Sequence, residues 1–377
     1  SRFKAKEKTQ KALQEARDGN HHALIHALID CVQEKLVPII LFDNTEKLSA
    51  TTWEIVEKDL MEPLVLNGRI LFVIAGRRYI PRWRRFEVRR RVQEPHKTHL
   101  TPFNKESVAQ LLKNRNYAVD VDILLPLTAG NPRLVDELGG KLVKLSRGEY
   151  VNQALIRENS KTIVAILQHY EEDLLKNVPQ DLREYFYSVI PLRAYRMEAL
   201  RFMLNKVDKD EYQDWVDGDY LRILRDLDQT EIVWWNRDRR AYTTDYIARR
   251  IINQRQLLED SDMFVKWHRN AFDLYIEWAN EHRKTSEDFI LEAWFHLANI
   301  WQVKPRDKKL KADFKKTLEI ARELTTDRKL VISKQLQLEP QVKDTEKDTE
   351  YDKELYDLLP GDWREQAEVI WKENSKQ

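Results

Sequence analysis

Two carboxylates follow a short apolar run in the stretch IILFDNTEKL, residues 39–48. Ile39 to Phe42 have the composition of a buried strand; Asp43 comes directly after them, and Glu46 stands three positions later. Carboxylate oxygens are the ligands that hard divalent cations such as Mg²⁺ prefer. The pattern therefore fits a nucleotide-binding sheet that presents acids to a metal at a strand end. It also fits a strand that reaches the surface and ends in polar residues.

The histidines and the cysteine form no recognisable metal or catalytic pattern. His22 and His26 are four positions apart on a predicted helix, but Ala23 stands where a zinc-peptidase pattern needs glutamate. Cys31 lies on an apolar helical face with no catalytic partner in view, so we expect a buried structural thiol. Because it is the single cysteine, an internal disulfide framework is excluded, which fits a reducing cytoplasm.

The composition predicts a mostly helical protein of several domains. The chain has 377 residues, enough for roughly two to four domains, and only 9 of them are glycine. It is 42% hydrophobic and 34% charged, and its net charge of +1 gives no general reason to expect nucleic acid. No apolar run approaches the roughly 20 residues of a membrane helix, and the N-terminus lacks the apolar core of a secretion signal.

The N-terminal part alternates predicted helices and strands. Helices are predicted over residues 4–35 and 51–66, and the apolar runs VPIILF (37–42) and RILFVIAG (69–76) are predicted to be strands. Continuous apolar runs are typical of parallel strands that are covered on both faces. We therefore predict a parallel sheet enclosed between helices.

The predicted helix 51–66 has one apolar face. Its apolar side chains recur every three or four residues, as expected for a helix that packs on a sheet. The residues on this face are Trp53, Val56, Leu60 and Leu64.

Residues from Thr101 onward first form a predicted helical subdomain. Asn104 is a suitable N-cap for a helix over KESVAQLL, and Pro132 suits the first turn of another helix. Between residues 178 and 254, three helices precede the strand–turn–strand pattern IVWWNRDRRAYTT, and one more helix follows it. Three helices followed by a β-hairpin is the order of a winged helix.

The C-terminal part is predicted to be helical with one charged interruption. Two amphipathic helices cover residues 261–301 as a hairpin. The segment 303–353 is dense in charge, and we expect partial disorder around 338–352. The tail from Tyr356 is predicted to hold one more helix.

Four motifs resemble, in their order, those of the STAND class of P-loop NTPases, a branch of the AAA+ superfamily that acts in signal transduction. They are LFDNTEKLSATTW, FVIAGRR, LTPFNKESVAQLL and LTAGNPRLV, and the resemblance spans residues 24–250. It implies an α/β plus all-α fold: a partial parallel-sheet P-loop NTPase core, a helical lid, a winged-helix domain and C-terminal helical hairpins. The implied boundaries are 1–98, 99–170, 171–258 and 259–377.

The resemblance also implies roles in a nucleotide site. Asp43 takes the Walker B position and would hold Mg²⁺ through water, and Glu46 would polarise the attacking water. Arg77 corresponds to the sensor arginine that reads the γ-phosphate. Pro132 belongs to the lid motif that contacts the base and ribose of ATP or ADP, and Arg133 is a candidate second sensor. The alternatives are a polar strand end for the acids and plain surface positions for the arginines.

Two departures from the family pattern bear on activity. The P-loop sequence G-x-x-x-x-G-K-[ST] does not occur in the chain, and without it the phosphates lose their backbone cradle and its lysine. We expect the loop to lie upstream of Ser1 in a longer protein; the alternative is a degenerate fold kept as a scaffold. Asn44 stands where many AAA+ proteins carry the catalytic glutamate, so hydrolysis is expected to be slow.

The segment RRYIPRWRRFEVRRR, residues 77–91, concentrates arginine and aromatic residues. One interpretation is a nucleic-acid or phosphate surface, where arginine contacts phosphates and aromatic rings stack on bases. A second is a solvated loop and helix whose aromatic rings pack on the core. A third is a subunit interface, because AAA+ oligomers place arginine fingers near this part of the fold. The arginines concerned are Arg82, Arg84, Arg85, Arg89 and Arg90.

The preferred hypothesis is a cytoplasmic switch that binds ATP or ADP with Mg²⁺ and hydrolyses ATP slowly. Nucleotide state would control how the winged helix packs and whether the protein binds a protein partner or forms a homo-oligomer. The third helix of the predicted winged helix carries Arg222 and Arg225 among several acids, which favours protein docking over DNA recognition. The alternatives are a non-catalytic adaptor with a degenerate NTPase fold and a DNA-binding winged-helix regulator.

Overall fold

The computed structural model divides the chain into two compact units, Ser1–Leu100 and Thr101–Gln377. Helices dominate, and the described sheets have two strands each, which agrees with a mixture of an α/β part and an all-α part. The first unit is described at residues 11, 14, 23, 25–29, 37, 39–42, 48–67, 70–75 and 83–91. The second unit is described at residues 102–147, 149–230, 232–236, 239–335, 354–355 and 357–374.

The first unit is built on two parallel strands. β1 (Ile39–Phe42) pairs with β2 (Leu71–Ile74), so the predicted parallel pairing is present. Parallel neighbours need a long crossover connection, and the helical run between the strands supplies it. Residues 25–29 of this unit are helical, and its described helical elements after β1 are α1 (Ala50–Ile55), a π-helical segment (Val56–Met61), α2 (Glu62–Asn67) and α3 (Phe86–Arg89).

One face of this sheet is bare in the described part of the chain, so the prediction of a sheet covered on both faces was wrong there. Phe42 and Phe72 stack on the covered face, with ring centroids 6.1 Å apart, and pack against buried residues of the helical run. The opposite face is exposed, with relative exposures of 61% for Ile39, 71% for Leu41 and 50% for Leu71. A continuous apolar run is compatible with either arrangement, because it does not state how many layers cover the sheet.

The helical run between the strands changes its apolar face midway. Residues 56–61 are π-helical, and this wider turn shifts the faces of the residues that follow it. The predicted apolar face is buried at its two ends, Trp53 and Leu64, but the predicted positions between them are only half-buried. The buried central positions are Glu57 and Met61 instead, each 1% exposed.

The second unit is a succession of helices interrupted by one β-hairpin. Its strands are β3 (Val233–Asn236) and β4 (Ala241–Thr244). Before the hairpin come α4 (Lys105–Arg115), α5 (Val121–Thr128), α6 (Pro132–Leu145), α7 (Gln153–Glu158), α8 (Ser160–Leu175), α9 (Gln180–Val189), α10 (Met197–Val207), α11 (Lys209–Tyr212) and α12 (Asp217–Asp228). After it come α13 (Tyr246–Glu259), α14 (Ser261–Glu281), α15 (Glu287–Val303), α16 (Lys308–Arg322), α17 (Thr326–Gln335) and α18 (Gly361–Asn374).

The helix starts in this unit follow the predicted capping chemistry. The side-chain oxygen of Asn104 accepts a hydrogen bond from the Ser107 amide at 2.9 Å, and this caps α4. Asn131 accepts from the Leu134 amide at 3.0 Å, and Pro132 is the first residue of α6. The predictions for Asn104 and Pro132 are therefore confirmed as statements about local structure.

The hairpin is tied back to the chain between two earlier helices. β3 and β4 are antiparallel, with Val233 opposite Thr244. Tyr195, which lies between α9 and α10, bridges Tyr242 of β4 through two backbone hydrogen bonds of 2.9 and 2.8 Å. The resulting order along the chain is α9, the bridging residue Tyr195, the two longer helices α10 and α12, the hairpin β3–β4 and α13.

The largest core lies around the α14–α15 pair, the predicted helical hairpin. α15 is buried over most of its length, and its Trp294 donates from Nε1 to Thr317 Oγ1 of α16 at 2.6 Å. Trp363 of α18 stacks on Phe314 of α16, with ring centroids 4.3 Å apart. Much of the charge-dense segment 303–353 is helical, in α16 and α17. The segment 338–352, where we expect partial disorder, lies outside the described residues.

Gly130 is required by the turn that joins α5 to α6. Its backbone is left-handed, with φ of +70°, and its carbonyl accepts from the Phe103 amide at 2.8 Å. A Cβ at this position would lie 2.3 Å from the Phe103 carbonyl oxygen. Since neither backbone segment can move without breaking this hydrogen bond, the turn excludes any side chain.

We predict that Gly130→Ala lowers the free energy of unfolding by at least about 2 kcal/mol, because left-handed strain and the clash with Phe103 add together. The matched control is Gly218→Ala in α12, where a Cβ would meet nothing within 4 Å. Urea denaturation followed by far-UV circular dichroism measures both. Equal midpoints for the two variants would contradict this account of the turn.

Candidate functional site

The predicted nucleotide site begins at the carboxyl ends of β1 and β2. Phe42 lies opposite Ile74 in the parallel register, and the Ala75 amide donates to the Phe42 carbonyl at 2.7 Å. The two strands therefore end level with each other. The chain that continues into DNTE and the chain that continues into GRR leave from the same edge of the sheet.

The acidic and arginine side chains that follow these strand ends are not described. Residues 43–47 and 76–82 lie outside the described residues, and with them Asp43, Glu46, Arg77 and Arg82. Their predicted roles therefore stay predictions. What the structure contributes is the common edge from which both segments depart.

The described part of the basic segment is folded against α1, α2 and the π-helical segment. Arg84 forms an ion pair with Glu54, and Arg85 Nε lies 3.7 Å from a carboxylate oxygen of Glu62. Arg90 Nε lies 3.0 Å from Glu87 within α3, and Arg89 is exposed. Several of these charges are thus balanced by acids of the same unit.

Glu57 holds the start of α3 in place. This nearly fully buried carboxylate accepts from the Arg84 amide at 3.1 Å and from the Arg85 amide at 2.6 Å. Trp83, just before them, packs against Trp53 with ring centroids 5.6 Å apart. This role could not be predicted, because a glutamate on a predicted amphipathic helix is ordinarily exposed. Its burial follows from the π-helical turn.

The lid motif LTAGNPRLV forms the turn from α5 to α6. Pro132 begins α6, and Arg133 follows it in the first turn. Arg133 Nη2 lies 3.4 Å from Asp173, and its guanidinium lies over the Tyr170 ring at 5.8 Å. Arg133 is therefore engaged with α8 of its own unit, while the predicted residues Asp43, Glu46 and Arg77 belong to the sequence of the first unit.

A second constellation, which sequence analysis missed, is buried between α14 and α15. His268 Nδ1 and His296 Nδ1 are 2.8 Å apart, and both side chains are fully buried. One ring must donate from Nδ1 and the other accept. Because the pKa values of both rings are lowered, both are neutral at neutral pH, and they are opposite tautomers. Burial, and then the positive charge of Arg249, lowers the pKa of His268 to about 3. Burial and the neighbouring His268 hold the pKa of His296 well below its usual value.

Two buried arginine–glutamate pairs border the histidines. Arg193 donates from Nε to Glu292 at 3.1 Å, and Arg249 pairs with Glu354. Burial alone would raise the pKa of Glu354, but the arginines beside it, Arg249 first, hold it below its usual value. Because buried charges need partners, the first pair fixes the segment before α10 against α15, and the second fixes α13 against the segment at residue 354.

The described residues contain no group of three His, Cys, Asp or Glu side chains arranged to hold a metal ion. His26 is exposed, and its predicted helical neighbour His22 lies outside the described residues. The buried histidine pair lacks a third ligand, and its two facing nitrogens are already joined by a hydrogen bond. This pair is therefore a structural element and not a metal site.

Comparison of the chain with protein-family models, with curated proteins and with solved structures finds no match. The STAND resemblance therefore rests on the four sequence motifs. Of the described helices, none combines the length and the apolar composition that crossing a membrane requires.

We predict that Glu57→Ala speeds amide hydrogen exchange in the segment 83–91 by roughly tenfold to a hundredfold, because two partly buried amides lose a charged acceptor. Asp59→Ala, an exposed acid of the same helical run, is the control. Exchange measured by mass spectrometry on peptides of this segment reads the effect locally. Unchanged exchange in Glu57→Ala would show that the carboxylate does not hold α3.

We predict that acid destabilises the protein through His268 and His296. Their pKa values are lowered on folding, so the unfolded chain binds protons that the folded chain cannot. The stabilisation is complete above the unfolded pKa and is lost as the pH falls below it. From pH 7.5 to 5 each histidine should contribute a loss of about 2 kcal/mol.

The check compares urea denaturation at the two pH values for the native sequence and for His268→Leu/His296→Leu. The double variant should lose about 4 kcal/mol less on acidification, since its side chains do not titrate. His282→Leu, a histidine outside the pair, is the control. Parallel pH profiles for all three proteins would contradict the assignment.

Proposed function

We propose that this chain is part of a STAND-like, ATP-binding signal-transduction switch. The observation that supports the proposal most directly is the parallel pairing of β1 and β2. Its register ends both strands level with each other, at Phe42 and Ile74. The acidic motif DNTE and the arginine motif GRR therefore start from one sheet edge, as a nucleotide site between them requires.

Each side chain then has one task. Asp43 would hold Mg²⁺ through water, and the cation would supply charge compensation for the phosphates. Glu46 would accept a proton from the attacking water, and Arg77 would bind the γ-phosphate through its fixed planar guanidinium. The donor set fits a hard cation, because the candidate ligands are carboxylate oxygens. Pro132 and Arg133 would contribute from the lid, once Arg133 leaves Asp173.

The order of elements around the hairpin supports a winged helix as the part that transmits the nucleotide state. Helices α9, α10 and α12, the bridging residue Tyr195 and the hairpin β3–β4 follow in the expected order. Arg222 of α12, the helix in the recognition position, lies 3.7 Å from Asp219 of the same helix. Since a recognition helix normally offers free basic or amide groups to bases, we propose that this domain docks on protein and not on DNA.

A non-catalytic adaptor is the second candidate, and two observations favour it. The chain contains no P-loop sequence, and Arg133 is already engaged by Asp173 and Tyr170. In that case the fold would bind a protein partner without turnover. Nucleotide retention separates the two candidates.

The test uses the protein expressed from its complete reading frame. We predict that it retains ATP in a Mg²⁺-dependent manner, and that Asp43→Asn weakens this retention at least about tenfold because the cation loses its carboxylate. Glu46→Gln should keep the binding and slow hydrolysis by about a hundredfold. Equilibrium dialysis with labelled ATP and phosphate release measure the two quantities.

Asp262→Asn is the control, since this exposed acid of α14 pairs only with a surface lysine, Lys304, at 3.3 Å. Its binding and turnover should match those of the native protein. The adaptor hypothesis predicts no retention in any of the proteins. Retention that is unchanged in Asp43→Asn would also reject the proposed site.

A further inference from the structure

A cavity of about 600 Å³ opens on the second unit beside α10, α11 and the start of α12. It is broad and open to solvent, with the size of a site for one long side chain and its neighbours. Its principal lining residues are Arg201, Asn205, Tyr212, Trp215, Asp217 and Tyr220. The hypotheses drawn from the sequence assign no function to these residues.

The floor of this cavity is aromatic and firmly held. The Trp215 ring is perpendicular to Tyr212 at 5.0 Å and lies 5.4 Å from Tyr220, between ring centroids. Tyr220 donates its hydroxyl hydrogen to the Tyr212 carbonyl at 3.2 Å, and the Tyr212 hydroxyl donates to Glu184 at 3.2 Å. Both tyrosines are buried, whereas Trp215 is half-exposed. The rings thus offer a fixed aromatic surface with one open side.

The surroundings of the floor are acidic. The stretch DKDEYQDWVDGD, residues 208–219, contains six acids and a single lysine. Glu211 and Asp214 are exposed. Burial, followed by the negative charges of Glu184 and Glu211, raises the pKa of Tyr212. An open aromatic surface within an acidic stretch attracts cations, because the ring faces and the acids both favour positive charge.

One guanidinium already occupies part of this surface. Arg201 lies with its guanidinium carbon 5.0 Å from the centre of the Tyr220 ring, and it pairs with Asp217. This is the geometry that an incoming arginine would need, one aromatic face and one carboxylate. Trp215 lines the same cavity, and the exposed acids Glu211 and Asp214 are close to it in the chain.

Val216, the residue directly before α12, also fits a binding surface better than a purely structural role. Val216 occupies the N-cap position, where Ser, Thr, Asp or Asn is normally preferred. It is 66% exposed beside Trp215. The Val216 amide donates to the Asp219 carboxylate at 3.1 Å, whereas its exposed side chain adds apolar contact area at the mouth of the cavity.

We propose that this cavity docks an arginine-rich peptide segment of a protein partner. One arginine would lie on the Trp215 ring, with its charge toward Glu211 and Asp214, and a flanking apolar residue would contact Val216. Charge complementarity and the aromatic floor favour an arginine-rich peptide over an acidic or a purely apolar one. The inference does not depend on nucleotide binding.

The probe is a fluorescein-labelled synthetic peptide, RWRRFEVRRR, which copies residues 82–91 and has the required chemistry. Fluorescence anisotropy with the 377-residue chain, without nucleotide, should give saturable binding. The affinity should fall as salt is raised, since exposed charges are screened. The peptide QWQQFEVQQQ, with every arginine replaced, should bind at least about tenfold more weakly.

The variants locate the binding. Trp215→Ala should weaken it about tenfold, whereas Trp235→Ala, a 45% exposed tryptophan of β3, should not change it. Glu211→Gln/Asp214→Asn changes only exposed acids and should weaken binding about fivefold without affecting the fold. Glu319→Gln, an exposed acid of α16, is its control.

Three results would overturn the proposal: no saturable binding at low salt, equal affinity for the two peptides, or equal affinity in the cavity and control variants. None of them depends on Asp43 or on ATP. A failed nucleotide test with specific peptide binding would reject the switch and keep the docking surface. The opposite pair of results would reject the docking surface alone.

Discussion

The burial of α15 over most of its length is the constraint on which the second unit depends. The polar side chains of a helix enclosed over most of its length depend on neighbours for their partners, because little water is available to them. Glu292 accepts a hydrogen bond from Arg193, His296 is hydrogen-bonded to His268, and Trp294 donates to Thr317. These partners lie before α10, in α14 and in α16, so the polar groups of one helix determine where three other elements sit.

The same constraint limits what the buried histidines can do. Two neutral rings joined through Nδ1 match each other only in complementary tautomers, and a proton added to either would face Arg249. The pair is therefore suited to fixing the position of α14 along α15. It is unsuited to metal binding or proton transfer at neutral pH. The chemical candidates of this protein lie elsewhere: at the strand ends of the first unit and on the surface of α12.

Local features could be predicted from the sequence because they depend on near neighbours. The cap at Asn104, the start of α6 at Pro132, the hairpin and the α14–α15 pair all follow from short patterns of polarity and turn residues. The π-helical turn, the burial of Glu57 and the bare sheet face could not be predicted. They depend on how many layers pack together and on one extra residue in a helical turn.

The candidate nucleotide site depends on sequence motifs, whereas the other sites of the protein depend on described side chains. Its motifs can be recognised in the sequence, and the level strand ends agree with them, but the side chains that would act belong to segments outside the described residues. The α12 cavity has the opposite character. Its geometry is explicit, yet its aromatic residues are spread over a stretch that in the sequence is merely acidic.

The pairing of Arg249 with Glu354 has a consequence for how the chain is made. The two residues are 105 positions apart. The ribosome therefore exposes Arg249 in α13 well before it exposes the Glu354 carboxylate that pairs with this arginine. At about 5–20 residues per second, this interval lasts several seconds. During that time the nascent helices can form locally, but the core around α15 lacks its final counter-charge. Completion of this core is therefore a late event of synthesis, and a chain truncated before residue 354 would lack the Arg249–Glu354 pair.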